Sequence, residues 1–344
     1  MVLGPLGPWS QTTGSNGQGD SLLAAVGSIA ARLNDDLDVA QRLTGDWTDE
    51  PLAQAMVDVA LSKSLEALAA TGCWGQDNRL PSSELWRVAG QRLATGWLQT
   101  HARLKPRGYA GDYLMLLRIC QRHCCEHPLG RFFDGYFQRQ AAPQAVRNRT
   151  EQIALAVASH VLLSPRDACH VVSVGSGPAL DLHQAISLIP KDRRARLRIT
   201  LMDVDPEALD VARANLEPLL AHGALVSSRV NLFRLSQGNS SRHFPDRADI
   251  LVSSGMFDYL EPDPAAAMLR LFWERLSPGG LLLVGNFSPH NPSRAYMEWI
   301  GNWYLLYRTP EELDQLGHAA GIPRDHRTVA CERTGVNLFL RAWK

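Results

Sequence analysis

The chain has 344 residues with 35 basic and 35 acidic side chains, so its formal charge is zero and neither nucleic-acid binding nor an acidic solvating tail is indicated. Its hydrophobic fraction of 45% is typical of a globular protein with a full core, and we find no uninterrupted apolar run of about 18 residues that would predict a membrane span. The first residues lack the basic and apolar regions of a secretory signal, so we expect a cytoplasmic protein.

The composition changes after the first residues of the chain. Residues 1–19 are rich in Gly, Ser, Asn and Gln, which predicts a flexible N-terminus. Apolar residues then recur at three- and four-residue steps over 21–33, 52–68 and 82–104. We therefore predict a helical N-terminal domain over 20–142, which either packs and makes homodimer contacts or serves as a lid over the site.

Six cysteines are present, and in a cytoplasmic chain of this size we expect free thiols. Several cysteines and histidines cluster within a short stretch, namely Cys120, His123, Cys124, Cys125 and His127. A structural metal would need ligand pairs at two separated places, and we see no second pair. We therefore expect no metal, and interpret the stretch as one helix with cysteines on its packed face.

The stretch 105–113 places two glycines around Tyr109 and ends on an aspartate that can cap a helix. Such a shaped loop makes Tyr109 a candidate ligand contact, with packing as the alternative. A helix is predicted over 143–163 and carries Arg147, Asn148 and Arg149. Residues two apart do not share a helix face, so at most one of the two arginines is expected to point into a site.

A nucleoside-binding pattern follows. The strand 171–174 runs into the turn Gly175-Ser176-Gly177, and the strand 197–202 ends on Asp203. In such a unit the turn faces the ligand and the acid binds two ribose hydroxyls. The proline after Gly177 disfavours a close pyrophosphate, which indicates a nucleoside cofactor without phosphates.

Strands and helices alternate through the rest of the chain. We predict helices over 206–220, 263–276 and 308–320, and strands over 230–233, 248–255, 281–286, 327–331 and 335–343. This alternation predicts an α/β, Rossmann-like, mostly parallel seven-stranded sheet with an antiparallel edge, forming a catalytic domain over 143–344.

At these residues the chain resembles the class I S-adenosylmethionine-dependent methyltransferases. The resemblance implies adenosylmethionine as cofactor, a small-molecule substrate, and neither a nucleic-acid nor a membrane partner. It also implies a set of cofactor-binding residues, namely Gly175, Ser176, Gly177, Asp203, Val204, Phe233, Ser253, Ser254 and Arg147. The adenine end corresponds to Leu232, Phe233 or Arg234, where the match is loose.

A narrower resemblance covers the 105–113 loop and the stretches 147–149, 257–260 and 285–294. They are similar to a bacterial branch that includes 3-hydroxypalmitate methyl ester synthases and related azetidine-2-carboxylate synthases. The candidate catalytic residues are therefore Tyr109, Asn148, Tyr259, Asn286 and His290.

The chemistry remains open at this point. Methyl transfer to a carboxylate needs an aligning cation, for which Arg147, Arg149 and Arg294 are the candidates. Transfer to a hydroxyl needs a base, for which His290 is the candidate. The alternative is cyclisation of adenosylmethionine to azetidine-2-carboxylate, with tyrosine or asparagine side chains accepting hydrogen bonds from its amine. A non-catalytic scaffold is the remaining alternative. The aromatic residues Trp299 and Trp303 are expected to pack in the core.

Overall fold

The computed structural model describes residues 16–232 and 244–344. The N-terminal part is helical. Its helices are α1 (Asn16–Leu43), α2 (Glu50–Ala69), α3 (Arg79–Leu93), α4 (Trp97–Leu104), α5 (Tyr113–Cys120), α6 (Gly130–Arg139) and α7 (Ala141–Leu163). Helix α1 thus already includes residues 16–19 of the segment predicted to be flexible, and residues 1–15 lie outside the described residues.

Two helix predictions need correction. The helix expected over 82–104 is divided, because α3 ends at Leu93 and α4 starts after Gly96. The break is stabilised from α6, where the Asp134 carboxylate accepts hydrogen bonds from the backbone N–H of Leu98 at 2.8 Å and of Trp97 at 3.3 Å. The cysteine-rich stretch is likewise not one helix, since α5 ends at Cys120.

A seven-stranded sheet forms the C-terminal part, as predicted, with strand order β3-β2-β1-β4-β5-β7-β6. The strands are β1 (Cys169–Val174), β2 (Leu197–Asp203), β3 (Leu225–Arg229), β4 (Ala248–Ser253), β5 (Leu276–Phe287), β6 (Arg327–Cys331) and β7 (Asn337–Trp343). Neighbours from β3 to β5 pair in parallel, and β7 is antiparallel to both β5 and β6. The predicted closing pair of strands is therefore confirmed.

The third strand lies earlier than predicted. We expected it at 230–233, but β3 spans Leu225–Arg229 and pairs with the end of β2. It is an edge strand with polar Ser227 and Ser228 in its middle, so it lacks the apolar run that marks a buried strand.

Helices connect the strands and cover the sheet. They are α8 (Leu180–Leu188), α9 (Lys191–Arg194), α10 (Pro206–Leu216), α11 (Pro262–Arg275) and α12 (Pro310–Ala319). Local sequence explains two of their starts. Asp205 caps α10 by accepting from the Glu207 N–H at 2.9 Å, and Thr309 forms a capping box with Glu312.

Buried apolar residues form three clusters. Two of them cover the two faces of the sheet. The third unites the N-terminal helices with Phe287, Tyr296, Trp299 and Trp303. The core position expected for the two tryptophans is therefore confirmed. In this stretch Tyr296–Ile300 forms one π-helical turn, and irregular chain follows it.

Within the described ranges, every helix is too short or too polar to cross a membrane. All six cysteines are unpaired.

Candidate functional site

A cavity of about 570 Å³ lies at the carboxyl ends of the parallel strands, beneath the loop that joins α4 to α5. This is the edge of a Rossmann-like sheet where ligands bind, and the volume lies within the usual range for small-molecule sites. Its lining combines the loop, α7, the ends of the strands and the irregular stretch after the π-helical turn. The lining residues are Arg107, Gly108, Tyr109, Gly111, Tyr113, Leu116, Val146, Arg149, Gly175, Gly177, Asp203, Val204, Asn231, Leu232, Ser254, Gly255, Met256, Asp258, Tyr259, Phe287, Trp303 and Leu305.

The turn after β1 forms one wall of the cavity through its backbone. Gly175 and Gly177 have φ values of +66° and +51°, a left-handed conformation that favours glycine. The Gly175 N–H donates to the Met202 carbonyl at 2.8 Å, which ties the turn to the neighbouring strand β2. The turn therefore presents backbone to a ligand in a fixed position.

Asp203, at the end of β2, connects the turn to the next helix. It is 3% exposed, its Oδ2 accepts from the Gly177 N–H at 2.8 Å, and its Oδ1 accepts from the Asp205 N–H at 3.0 Å. Burial raises the pKa of this carboxyl, and the backbone donors oppose that shift. Each oxygen keeps a further lone pair, so the carboxylate can still accept hydrogen bonds from a ligand.

The loop over the cavity is held at both ends. Asp112 caps α5 by accepting from the N–H groups of Leu114 and Met115, and its other oxygen is 2.7 Å from His101 Nε2. At the other end Arg107 pairs with Asp205 at 2.8 Å and also with Glu207. The hydrogen bond to Glu207 raises the pKa of Arg107, and the Asp205 contact acts in the same direction.

Aromatic side chains enclose the side of the cavity beside this loop. The rings of Tyr109 and Tyr259 meet edge to face, with centroids 6.0 Å apart, and Trp303 Nε1 donates to the Tyr259 hydroxyl at 3.0 Å. Burial raises the pKa of both phenols, with nearby carboxylates adding to the shift. Both tyrosines therefore keep their protons at neutral pH, and their electron-rich faces suit a positively charged ligand.

The remaining charged groups at the cavity are Asp258 and Arg149. Asp258 Oδ1 accepts from the Phe287 N–H at 2.6 Å, and Oδ2 is 3.9 Å from Arg149 Nη1. Burial raises the pKa of Asp258 to about 6, although Arg149 favours its charged form. The pair thus has opposite charges at neutral pH without a direct hydrogen bond.

The structure brings together many of the residues predicted for the site. Cavity-lining positions are occupied by Tyr109, Tyr259, Gly175, Gly177, Asp203, Val204 and Ser254. Ser176 instead lines a neighbouring cavity of about 30 Å³, and Ser253 is fully buried in β4. Phe233 lies outside the described residues.

Other predicted residues lie away from the cavity. Asn148 donates to Glu332 at 2.6 Å, and Arg147 bonds to Ile119 and Gln138. Asn286 is fully buried and donates to the carbonyls of Phe287 and Leu306. His290 is exposed. The functions assigned to these four residues would therefore require contacts that this structure does not contain.

Sequence reasoning left out several residues at the cavity, including Asp258, Phe287 and Arg107. Of the three arginines considered for aligning a carboxylate, Arg149 lines the cavity, whereas Arg147 and Arg294 are not among its lining residues. One signal was available for Asp258: it follows the end of β4 within five residues, where parallel strands place ligand-binding groups. No local signal marks Arg107 or Phe287, because both reach the cavity through tertiary packing.

Neither a family model nor a curated protein matches this chain. Solved structures do share its fold. A protein from Bordetella parapertussis, described as a possible exported protein, is 17% identical, with a TM-score of 0.56 over 96% of this chain and 99% of that one. At this identity the similarity shows the common fold alone.

Other similar structures are S-adenosylmethionine-dependent methyltransferases and related domains. The methyltransferase SibL, in its apo form, is 16% identical with a TM-score of 0.45, covering 95% of this chain and 96% of that one. The CMeT domain of the citrinin polyketide synthase is 13% identical with a TM-score of 0.49, covering 76% of this chain and 68% of that one. With TM-scores below 0.5, their activities do not transfer to this chain.

Proposed function

We propose that the protein consumes S-adenosylmethionine and transfers its methyl group to a carboxylate or hydroxyl of a small molecule. The observation that carries this proposal is the meeting of three features in one cavity. These are the positive-φ turn at Gly175 and Gly177, the buried carboxylate of Asp203, and the aromatic wall of Tyr109 and Tyr259.

The residues present fit this cofactor. Asp203 keeps acceptor capacity for two ribose hydroxyls after its two backbone hydrogen bonds. The turn lets a ligand approach its backbone closely, because Gly175 and Gly177 carry no side chain. The phenol rings offer the electron-rich surface that favours a sulfonium.

Adenosylmethionine, when bound, supplies an electrophilic methyl: a new bond to the acceptor oxygen forms as the carbon–sulfur bond breaks, leaving S-adenosylhomocysteine. The protein then has to align the acceptor and exclude water. A carboxylate acceptor loses no proton, whereas a hydroxyl must lose one. Asp258 Oδ2 is the candidate to take that proton. Burial raises the pKa of this carboxyl to about 6, which suits a base at neutral pH.

Cyclisation of adenosylmethionine is a second candidate, and the paired phenols of Tyr109 and Tyr259 favour it. In that reaction the α-amine forms a bond to the γ-carbon, the bond from that carbon to sulfur breaks, and methylthioadenosine leaves while the nitrogen loses a proton. Phenols that keep their protons can accept hydrogen bonds from the amine and orient it.

Product analysis separates the two reactions. The protein is incubated with adenosylmethionine alone and then with a pool of carboxylic and hydroxy acids, and the nucleoside products are identified by mass spectrometry. Methyl transfer predicts adenosylhomocysteine only when an acceptor is present, whereas cyclisation predicts methylthioadenosine without any acceptor. If calorimetry detects no binding of adenosylmethionine or adenosylhomocysteine, both proposals fail.

A matched pair of variants tests the assignment of Asp203. Asp203→Asn removes the charge that faces the ribose, and should weaken cofactor binding by about tenfold or more. Asp210→Asn changes an exposed aspartate in the helix that follows, and should leave affinity unchanged. Equal affinities for the two variants would remove Asp203 from the site.

We place this activity in the cytosol. All six cysteines are unpaired, and free thiols are typical of a reducing compartment. Fractionation of the native host, followed by immunodetection, tests the location, and recovery of the protein outside the cytosol would contradict it.

A further inference from the structure

Three buried arginines lie on α7 or between β5 and α12, and two of them, Arg308 and Arg147, make several short hydrogen bonds to the protein. Arg308 donates to the carbonyls of Phe257 and Leu260 and to Asn286 Oδ1. Arg147 donates to the Ile119 carbonyl, to both oxygens of Gln138 and to Gln144. These two guanidinium groups bind the protein itself and hold its elements together.

Arg149 differs from both. It is 5% exposed, and it makes one long hydrogen bond, at 3.4 Å, to Asn337 Oδ1. Its ion pair with Asp258 spans 3.9 Å, beyond hydrogen-bond distance. A guanidinium has five N–H donors, so most of the donors on Arg149 lack a short bond to the residues that the structure describes.

The surroundings leave this guanidinium facing the cavity. Arg149 lines the cavity together with Asp258, and Phe287 lies beneath it with the ring centroid 5.8 Å from Cζ. Gly255 packs against its other side, where an added Cβ would lie 3.0 Å from Nη2. A side chain at position 255 would therefore require the guanidinium to shift by a few tenths of an ångström.

Burying a cation without hydrogen-bond partners is costly, and Asp258 compensates its charge but not its donors. A ligand group that supplies two coplanar oxygens would satisfy those donors, and a carboxylate has this geometry. A neutral amide or hydroxyl would supply at most one acceptor atom and no charge.

We propose that Arg149 is a carboxylate-binding residue of this cavity. The proposal rests on the proposed function and adds the chemical class of one ligand group. The carboxylate belongs either to the methionine portion of adenosylmethionine or to the second substrate. Each source predicts a different outcome in binding experiments, and neither experiment depends on turnover.

The first experiment compares adenosylmethionine with decarboxylated adenosylmethionine by calorimetry. If the cofactor supplies the carboxylate, the wild-type protein prefers adenosylmethionine by about tenfold or more, and Arg149→Gln removes the preference. Arg149→Lys keeps the charge but loses the bidentate geometry, so it should retain part of the preference for adenosylmethionine. Arg147→Gln removes another buried guanidinium from α7, outside the cavity, and should keep the wild-type ratio of affinities.

The second experiment titrates octanoate and benzoate, with their methyl esters as controls, into the protein with and without decarboxylated adenosylmethionine. If the second substrate supplies the carboxylate, an acid binds, its ester does not, and Arg149→Gln abolishes binding. Circular dichroism and thermal melting establish that each variant is folded. If Arg149→Gln does not fold, Arg149→Lys decides, because losing the bidentate contact must still weaken binding of the carboxylate.

The proposal is overturned if neither source shows a carboxylate preference that depends on Arg149, or if Arg147→Gln lowers the preference as much as Arg149→Gln. A wild-type protein that binds no adenosylmethionine contradicts the proposed function alone. In that case the titration of octanoate and benzoate without nucleoside still tests whether Arg149 binds a carboxylate.

Discussion

Arg107 Nη1 lies 2.8 Å from Asp205 Oδ2, which joins the loop over the cavity to the residue that caps α10. Asp205 is two positions beyond Asp203, whose carboxylate holds the glycine turn. The ion pair therefore connects the covering loop to the edge of the sheet that borders the cavity. Removing this ion pair should change the dissociation rate of a bound ligand more than the free energy of unfolding.

The first prediction concerns this ion pair. Arg107→Ala should cost about 1 kcal/mol or less in the free energy of unfolding, because the pair is partly exposed. It should raise the dissociation rate of adenosylmethionine several-fold, since the loop loses its attachment to α10. Stopped-flow fluorescence measures the rate. The control is Arg213→Ala, which removes an exposed ion pair between α10 and Glu217. This variant should leave the dissociation rate unchanged. Equal rates for the two variants would show that the loop needs no attachment.

A second prediction separates strain from ligand contact at the glycine turn. Gly177 has φ +51° and Gly223 has φ +76°, so alanine is strained at both positions and should cost about 1 kcal/mol in unfolding free energy. Only Gly177 lines the cavity. Urea unfolding should therefore give similar losses for Gly177→Ala and Gly223→Ala, while calorimetry should detect weakened cofactor binding for Gly177→Ala alone. Weakened binding by Gly223→Ala as well would mean that the loss is a general effect of strain.

The third prediction concerns Tyr259 and Tyr109. Tyr259→Phe removes the acceptor of Trp303 Nε1 and leaves a buried donor unpaired, which should cost about 1–3 kcal/mol of stability. Tyr109→Phe leaves the Trp303 hydrogen bond intact, so its stability should stay near that of the wild type. Both variants should slow turnover if the phenols contact the reacting group. Equal unfolding midpoints for the two variants would contradict the structural role assigned to the Tyr259 hydroxyl.

The fourth prediction is a pH dependence. Burial raises the pKa of Asp258 to about 6, so the folded protein holds this proton more tightly than the unfolded chain. Its contribution to stability is therefore fully present below the ordinary carboxyl pKa and is lost as the pH rises from about 4 to about 6. The loss is about 3 kcal/mol for a shift of roughly two pKa units.

Asp258→Asn tests this dependence, because asparagine keeps an acceptor for the Phe287 N–H and does not titrate. Urea unfolding at several pH values should show the wild type losing stability relative to Asp258→Asn between pH 4 and 6.5. The control is Asp263→Asn, which changes an exposed aspartate. Its free energy of unfolding should change with pH in the same way as that of the wild type. If the free energies of unfolding of Asp258→Asn and the wild type changed with pH in the same way, Asp258 would not have a raised pKa.

Much of the fold was predictable because its signals are local. The apolar run into Gly175, the acid at Asp203, and the caps Asp112 and Asp205 each depend on neighbouring residues in the chain. Strands buried on both faces show such runs, whereas the edge strand β3 does not, and it was predicted at the wrong position.

The candidate site was less predictable, because it depends on which face of each element meets the cavity. Arg147, Asn148 and Arg149 are consecutive in α7, and nothing local distinguishes them. Asn148 donates to Glu332, which is 184 positions away in the chain, and Arg147 donates to Gln138. These contacts fix the rotation of α7, which leaves Arg149 facing the cavity.

The sequence by itself determined the sheet, the glycine turn and the carboxylate of Asp203 at the end of β2, because hydrogen bonding and burial along a strand follow a short local period. Tertiary structure alone decided that Arg149, Asp258 and Tyr259 share one cavity while Asn286 and His290 lie outside it. The physical reason is that the rotation of a helix and the path of an irregular segment are set by packing against residues distant in the chain.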